Sequence, residues 1–280
     1  MKIGFIGAGK VGFSLGKYLN DNNINVVGYF SKNIASAKEA AKFTNTNYYE
    51  SLQFLIDCSD IIIITTPDSE IDRVWNEVKK LSINNKIICH CSGSLSSKIF
   101  SNIEQLGAYG YSIHPMYAFS DKYNSYINFN QATITIEGSE KYLNYFNDLF
   151  SRLGNSVKVI SKDNKSIYHA ASVVVSNHVI GLVQFAVNLL GRCGFDNNEA
   201  IEALYPLMSN NILNIRNDGL TKSLTGPVER NDIDTIKNHI NNLDEEDKEL
   251  YRLLTKRIIK IAKAKNIDRD YSNLEKMMGE

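Results

Sequence analysis

The side chains best suited to moving a proton near neutral pH lie in two short stretches of the chain. His114 precedes Pro115 at the end of a predicted strand, and Lys165 lies four residues before His169 in a predicted helix. An imidazole, with an ordinary pKa of about 6.5, can bind a substrate or shuttle a proton. We expect His169 or Lys165 to donate a proton, and His114 and Asn177 to orient a substrate.

The helix predicted to carry Lys165 and His169 runs from Lys162 to Arg192 and contains further polar residues. Most of its other residues are apolar, so we expect it to be buried nearly all round. The span from Ala170 to Gly191 has no charged residue, but polar side chains interrupt it, which favours a core helix over a membrane span. These polar groups either line a cleft or bond to neighbouring backbone and water. They are Ser172, Ser176, Asn177, Gln184 and Asn188, whereas His178 faces away from them and is predicted to be a core or interface histidine.

A glycine-rich turn at the start of the chain indicates a phosphate site. An apolar run typical of a buried strand, Ile3 to Ile6, leads into Gly7, Ala8, Gly9, Lys10, Val11 and Gly12, and helical spacing follows. In this pattern the first glycine allows a tight turn, the second lets backbone approach a pyrophosphate, and the third lets helix and strand pack closely. The new helix offers free N–H groups to the phosphates. An ordinary strand-to-helix connection is the alternative.

The end of the second predicted strand distinguishes between the two nicotinamide dinucleotides. A site for NAD usually places an acidic residue about 20 residues beyond the glycines, where it binds the ribose 2′-hydroxyl. Here Ser31 and Lys32 take that place, and no carboxylate follows until Glu39. A hydroxyl and an ammonium suit a 2′-phosphate, so we expect NADP(H), unless Lys32 is only a solvated loop lysine.

Alternating strands and helices predict the frame that would position these residues. The alternation indicates an α/β fold with a doubly wound parallel sheet, which binds ligands beyond the carboxyl ends of its strands. Thr66 and Pro67 follow one strand, and Ser92 and Gly93 follow another, so we expect these four residues to line the ribose next to the nicotinamide. Besides the opening run, strands are predicted at Asn25–Phe30, Asp60–Thr65, Lys86–His90, Tyr109–Ile113, Ala132–Ile136 and Val157–Ile160, and helices at Lys10–Asn20, Ile34–Phe43, Ile71–Leu81, Leu95–Leu106 and Ser139–Leu153.

Beyond Ile160 only helical periodicity remains. We place a boundary there, with an α/β domain over residues 1–160 and an all-helical domain over residues 161–280. Asp232 and Asp244 are predicted N-caps. The stiff turn Thr225-Gly226-Pro227 and Arg230 would contact substrate or a second subunit, and which subunit's cleft they face stays open. The later helices are predicted at Asn197–Arg216, Asp232–Asn242, Asp244–Lys265 and Ser272–Met278.

Composition argues for a small partner. The 31 basic residues balance the 31 acidic ones without long blocks, which argues against binding to nucleic acid or an anionic membrane. The four cysteines lack the density of a disulfide framework and the spacing of a metal site, and no signal peptide precedes the first strand. We therefore expect a cytoplasmic protein without a bound metal.

The chain resembles a bacterial family of candidate NADP oxidoreductases, in which a Rossmann-like domain precedes a helical domain of unknown function. The resemblance runs nearly the whole length, and its more specific stretches are Lys165 to Ala171, Ser176-Asn177, and Leu224-Thr225-Gly226-Pro227 through Arg230. It is also carried by the glycine loop, Thr66-Pro67-Asp68, His90-Cys91-Ser92-Gly93 and His114-Pro115. More distantly, the chain looks like pyrroline-5-carboxylate reductase and the 6-phosphogluconate and β-hydroxyacid dehydrogenases.

The resemblance implies NADPH binding, hydride transfer at a carbon–oxygen or carbon–nitrogen double bond, and a homodimer formed through the helices. It implies no substrate. The β-hydroxyacid enzymes have an asparagine one turn after the helix lysine, where this chain has His169 after Lys165. The Thr-Gly-Pro turn also differs from the Gly-Gly-Thr-Thr signature of pyrroline-5-carboxylate reductase. A reductase of that imine type and a non-catalytic NADP-binding sensor or scaffold remain the alternatives.

Overall fold

An eight-stranded sheet forms the frame of the first half of the chain in the computed structural model, which describes residues 1–279. The spatial order is β3-β2-β1-β4-β5-β6-β7-β8. All neighbouring strands are parallel except β6 and β7, which are antiparallel. The strands are β1 Ile3–Ile6, β2 Val26–Phe30, β3 Asn47–Tyr49, β4 Ile61–Ile64, β5 Ile87–His90, β6 Tyr109–Met116, β7 Thr133–Gly138 and β8 Ser156–Val159.

Helices cover both faces of this sheet, as a doubly wound fold requires. Ile61 and Ile63 of β4 join one buried cluster, whereas Ile62 and Ile64 join another. The central strand is therefore buried on both sides, which explains why its sequence is a continuous apolar run. The first cluster also contains residues of α1, α2 and α5, and the second contains residues of α3 and α4. The helices are α1 Lys10–Asp21, α2 Ile34–Thr44, α3 Leu52–Cys58, α4 Asp68–Val78 and α5 Leu143–Arg152.

Three features of the sheet domain differ from the sequence predictions. Strand β3 and helix α3 were not predicted, because β3 is a short, largely exposed edge strand without apolar alternation. The helix predicted at Leu95–Leu106 is wrong, since only a single 3₁₀ turn forms at Ser97–Ile99. Glu137 holds that turn by accepting hydrogen bonds from the Ser97 N–H (2.6 Å) and hydroxyl (2.7 Å). The antiparallel direction of β7 is the third difference.

The remainder of the chain is helical, as its periodicity predicts. Asp232 and Asp244 cap α9 and α10 by accepting hydrogen bonds from Thr235 N–H and Asp247 N–H, which confirms both predicted caps. A third cap, Asp196, forms a full capping box with Glu199. The helices are α6 Lys165–Gly191, α7 Asn197–Ser223, α8 Pro227–Arg230, α9 Ile233–Asn241, α10 Glu245–Lys265 and α11 Ser272–Met277.

The chain divides into two compact units, residues 1–176 and 177–280. Strand structure ends at Val159, next to the boundary placed at residue 160. The compact sheet unit extends further because it includes the first turns of α6. Lys165 and His169 therefore belong to the same unit as His114, whereas Asn177 is the first residue of the helical unit.

The expectation that α6 is buried nearly all round is wrong for the single chain. Ile167, Val175 and Ile180 are 73%, 71% and 70% exposed. Within the described chain, the stretch 162–191 is the one helix long and apolar enough to cross a membrane, and only 6% of its apolar window is buried. Apolar spacing identifies side chains that need a cover, but it does not say whether the same chain provides that cover.

A buried asparagine links the loop before β7 to α1, and its loss should destabilise the sheet unit. The Asn155 amide donates to the carbonyls of Phe129 (2.7 Å) and Ala132 (3.1 Å) and accepts from the Tyr18 hydroxyl (2.9 Å). We expect Asn155→Ala to lower the free energy of unfolding by about 2 kcal/mol, because three buried groups lose partners. Urea denaturation measures this loss. The exposed Asn130→Ala is the control, and equal effects of the two substitutions would contradict the assignment.

Candidate active site

A cavity of about 560 Å³ lies beyond the carboxyl ends of β1, β2 and β4. The three strands are parallel neighbours, so the loops that follow them meet at one edge of the sheet. Seven residues predicted to hold a cofactor line this cavity: Gly7, Ala8, Gly9, Ser31, Lys32, Thr66 and Pro67.

The three glycines of the first loop meet three different surroundings. Gly7 has a φ of 106°, in the region that favours glycine, and it makes the turn out of β1. A Cβ on Gly12 would lie 2.3 Å from Thr65 Oγ1 and 2.7 Å from the Gly7 carbonyl oxygen. A Cβ on Gly9 would meet no protein atom within 4 Å. Gly12 thus serves packing, and Gly9 leaves its backbone open to the cavity.

The other loop residues do not line the cavity in the same way. The Lys10 ammonium donates to the carbonyl of Ser120 at 2.8 Å, so this side chain is engaged by a neighbouring loop. Val11 and Gly12 lie at the start of α1 and do not appear among the lining residues. Any role they have in holding a phosphate falls to their backbone N–H groups.

The cavity is lined by more charged side chains than the sequence analysis predicted. Lys32 is exposed and Ser31 half-buried. Helix α4 adds Arg73, whose guanidinium bonds Glu70 (2.8 Å) and Glu77 (2.7 Å), and all three line the cavity. The spacing of Glu70, Arg73 and Glu77 by three and four residues predicts ion pairs on one face of a helix. It does not show that this face lines the cavity.

A carboxylate organises the loop that follows β5. Asp68, the first residue of α4, accepts hydrogen bonds from the hydroxyls of Ser92 (2.6 Å) and Ser94 (2.9 Å). Ser92 Oγ in turn accepts from the N–H of Leu95 at 2.9 Å. The loops after β4 and β5 are therefore joined, which brings Ser92 and Gly93 next to Thr66 and Pro67. Asp68 lay within a stretch matching the family but was not among the predicted site residues.

Gly93 lies against two of the predicted histidines, His114 and His169. A Cβ there would lie 2.5 Å from His169 Nδ1 and 2.9 Å from His114 Nε2. The ring centroids of His114 and His169 are 6.3 Å apart. The sequence analysis predicted separate roles for His114, His169 and Gly93. In the fold, these three residues lie next to one another. His169 Nδ1 is buried and has no hydrogen-bond partner among the described residues.

Lys165 is the most unusual member of the cluster. The residue is 2% exposed, and its ammonium has no hydrogen-bond partner in the described part of the chain. Burial lowers the pKa of Lys165 to about 8, although the negative charges of Glu137 and Asp68 oppose the shift. A lysine in this state exchanges its proton near neutral pH, as a general acid requires.

Two imidazole rings near this cluster, those of His114 and His90, have a lowered pKa and a hydrogen-bond partner at Nδ1. Burial, together with the charge of Lys165 and His169, lowers the pKa of His114 to about 4, so its ring is neutral at pH 7. Its Nδ1 lies 2.8 Å from the Tyr168 hydroxyl. His90 is fully buried with its pKa also lowered to about 4, and its Nδ1 accepts from Ser92 N–H at 3.2 Å. This arrangement gives His90 a structural role in holding the loop after β5.

Several predicted residues belong to the helical unit. Gln184 and Asn188 bond each other at 2.8 Å. Asn177, Thr225, Pro227 and Arg230 belong to the helical unit, where Gly226 has a φ of 99° and precedes α8. Within residues 1–279 no three His, Cys, Asp or Glu side chains form a group that could hold a metal ion.

Comparison with known families identifies both halves of the chain. Residues 1–115 match a Rossmann-like domain, and residues 132–258 match a domain of unknown function, DUF2520. This is the domain combination that the sequence resemblance implied. No curated protein sequence matches the chain.

Solved structures share this architecture over nearly the whole chain. Protein TM1727 from Thermotoga maritima superposes with a TM-score of 0.78 at 24% identity, covering 94% of this chain and 99% of its own. Protein BF3122 from Bacteroides fragilis, named as a candidate NADP oxidoreductase, gives 0.68 at 22% identity, covering 92% and 98%. Pyrroline carboxylate reductase from Plasmodium falciparum, solved with NADP bound, gives 0.58 at 15%, covering 94% and 98%. At these identities the likeness establishes the fold.

The buried ammonium of Lys165 should destabilise the protein, and the pH dependence of the free energy of unfolding should show that this group is the cause. Because the folded-state pKa is lowered from 10.5 to about 8, folding disfavours the charged form, and this penalty is complete below pH 8 and declines as pH rises through it. We expect Lys165→Met to raise the free energy of unfolding at pH 7 by about 1–3 kcal/mol.

Urea denaturation between pH 6.5 and 9.5 measures this difference, which should narrow as the wild-type amine loses its proton. Lys158→Met, at an exposed position on β8, is the control and should show no such convergence. A Lys165→Met variant that is less stable than wild type at every pH would contradict the assignment.

Proposed function

We propose that this chain, which joins a Rossmann-like domain to a DUF2520 domain, is an NADP(H)-dependent oxidoreductase acting on a small carbonyl, hydroxyl or imine substrate. The observation that carries the proposal is the connection of two features within one unit. The glycine-loop cavity extends to Thr66 and Pro67, and Asp68 joins this loop to the Ser92–Ser94 loop beside Lys165, His114 and His169.

The residues that line the cavity suit a dinucleotide in their chemistry. Gly9 leaves open backbone at the N-terminal end of α1, where unpaired N–H groups and the helix dipole favour a diphosphate. Ser31 and Lys32 would bind the 2′-phosphate. Arg73 forms ion pairs with both Glu70 and Glu77, which line the same cavity, so each carboxylate has a cationic partner although the three side chains together keep a net charge of −1.

The polar cluster provides what hydride transfer requires from the protein. A bound nicotinamide would accept or donate the hydride. Lys165, with a pKa of about 8, is the proton donor during reduction, and His169 assists it from the next helical turn. His114 orients the substrate, and the same role for Asn177, in the helical unit, stays a prediction from the sequence. Burial of the ammonium away from water strengthens its interaction with charge that develops on the substrate.

Proteins that share the fold support this class of reaction. They include a reductive aminase from Aspergillus terreus solved with NADPH and an imine reductase from Myxococcus stipitatus solved with NADP⁺. A ketol-acid reductoisomerase that prefers NADH also shares the fold. Because the two dinucleotides both occur on this architecture, the preference for NADP(H) rests on Ser31 and Lys32 of this chain.

Gly9 provides the sharpest test of cofactor binding, because an added methyl group meets no protein atom there. We expect Gly9→Ala to keep the wild-type melting temperature while weakening NADPH binding at least about tenfold, since the methyl group would displace a diphosphate. Isothermal titration calorimetry and thermal denaturation measure the two effects. Gly12→Ala is the contrasting variant, which should lower the melting temperature because its Cβ would clash with Thr65 and the Gly7 carbonyl.

Unchanged NADPH binding by Gly9→Ala would contradict the proposed site. NADPH oxidation, followed at 340 nm with small keto acids and cyclic imines, then separates an enzyme from a sensor. Turnover that falls in a Lys165→Met variant supports the enzyme. Tight NADPH binding without turnover on any member of the panel supports the non-catalytic sensor or scaffold.

The uncovered apolar residues of α6 and α7 support a homodimer through these helices. Ile180, Leu207 and Ile212 are 70%, 65% and 65% exposed in the single chain. An exposed apolar surface of this kind marks an interaction site. A second copy of the same helices would cover it.

Light scattering coupled to size exclusion should therefore give the mass of two chains. We expect Ile180→Asp to shift the protein toward monomer, because a carboxylate would be buried without a partner. Ile267→Asp, at a position that is 87% exposed in a loop, is the control and should leave the mass unchanged. A monomeric wild-type protein at micromolar concentration would contradict the dimer.

A further inference from the structure

Asp68 is a charged residue at the sheet edge that the proposed function uses only to join two loops. It is the first residue of α4, and it is exposed. One carboxylate oxygen, Oδ2, accepts hydrogen bonds from the hydroxyls of both Ser92 (2.6 Å) and Ser94 (2.9 Å). The other oxygen, Oδ1, has no hydrogen-bond partner among residues 1–279.

The directions of these hydrogen bonds follow from the groups that form them. Ser92 Oγ accepts from the backbone N–H groups of Leu95 (2.9 Å) and Ser94 (3.2 Å), so its single hydrogen is left for Asp68. The Ser92 N–H is in turn bonded to His90 Nδ1 at 3.2 Å. A loop that is fixed at several points therefore holds the carboxylate by one oxygen and leaves Oδ1 as a free acceptor.

The order of the strands shows which part of a dinucleotide would come next to Asp68. Strands β2, β1, β4 and β5 are neighbours in that order. Ser31 and Lys32 follow β2 and Gly9 follows β1, so a dinucleotide with its 2′-phosphate and diphosphate at these loops continues over β4. Pro67 still lines the cavity, whereas Asp68 lies just beyond its lining residues. The group that follows the diphosphate in NADP(H) is the second ribose, which carries two hydroxyls.

We propose that Asp68 Oδ1 accepts a hydrogen bond from a hydroxyl of the ribose next to the nicotinamide, which makes Asp68 a cofactor-binding residue. This inference rests on the proposed function, which supplies the dinucleotide. A hydroxyl forms a strong hydrogen bond with a charged acceptor. The same carboxylate repels the diphosphate, because both groups are negative. Loss of the charge alone would therefore tighten binding, and loss of the hydrogen bond would weaken it.

Two fragments of the cofactor test this contact in the wild-type protein. 2′-Phospho-ADP-ribose ends in the second ribose, and 2′-phospho-ADP is the same molecule without that ribose. We expect isothermal titration calorimetry to give an affinity at least about tenfold higher for the fragment with the ribose, because only this fragment offers a hydroxyl to Asp68. Equal affinities for the two fragments overturn the proposal.

Asp68→Asn changes the free oxygen while it keeps the two loops joined. The asparagine carbonyl can accept both serine hydroxyls in place of Oδ2, and its NH₂ group, which only donates, replaces Oδ1. We expect this variant to bind NADPH and 2′-phospho-ADP-ribose about tenfold more weakly than wild type, although it has lost a negative charge. Its affinity for 2′-phospho-ADP should be unchanged or higher, which also shows that the variant is folded.

Asp72→Asn is the matched control for the loss of charge. Asp72 lies one turn further along α4 at an exposed position, where it accepts from the Asn76 amide at 3.0 Å. This variant should bind NADPH at least as tightly as wild type. Equal NADPH affinities for Asp68→Asn and Asp72→Asn overturn the proposal, as does an equal loss of affinity for both fragments in Asp68→Asn. A wild-type protein that binds neither NADPH nor the fragments contradicts the proposed function itself, and the contact with it.

Discussion

The carboxyl ends of β1, β2, β4 and β5 lie along one edge of the sheet, and the candidate site depends on that alignment. Parallel pairing fixes the register, with Ile6 opposite Ile64 and Ile64 opposite His90. The residues that follow these strands therefore meet, although up to about 90 positions separate them along the chain. The Asp68 carboxylate accepts hydrogen bonds from the hydroxyls of Ser92 and Ser94, and these bonds join the loop that lines the cavity to the loop beside His114 and His169.

The antiparallel strand β7 adds a second constraint that the parallel strands do not provide. It sets Glu137 opposite Ser112 and Thr135 opposite His114. Glu137 is buried, and both of its carboxylate oxygens accept hydrogen bonds from Ser97. Its negative charge therefore acts on Lys165 through electrostatic attraction and not through a direct hydrogen bond. The charge of the ammonium is thereby partly compensated, but it has no hydrogen-bond partner among residues 1–279 and lies over the Tyr168 ring, 5.4 Å from its centroid. A buried ammonium of this kind is already in place to stabilise negative charge on a ligand, but its burial lowers the folding stability of the protein.

Local patterns predicted the parts of the molecule that depend on neighbours in sequence. The glycine loop, the continuous apolar strand β4 and the caps Asp232 and Asp244 follow from backbone conformation, burial on both faces and helix-end hydrogen bonding. Contacts between distant segments were not accessible in this way. Arg73 and Asp68 line the site only because strands distant in sequence pair, and Tyr168 reaches His114 only because α6 packs against β6. The missing helix at Leu95–Leu106 reflects the bond from Ser97 to Glu137. The exposure of α6 had no local signal, because apolar spacing looks the same whether one chain or two supply the cover.

The structure of the protein crystallised with NADP⁺ tests the central claim most directly. The account predicts a diphosphate beside Gly9 and the N-terminal end of α1, a 2′-phosphate beside Ser31 and Lys32, and a nicotinamide near the Ser92-Gly93 loop on the side of Lys165. A dinucleotide bound elsewhere on the chain, or a nicotinamide ring turned away from Lys165, His114 and His169, would contradict it.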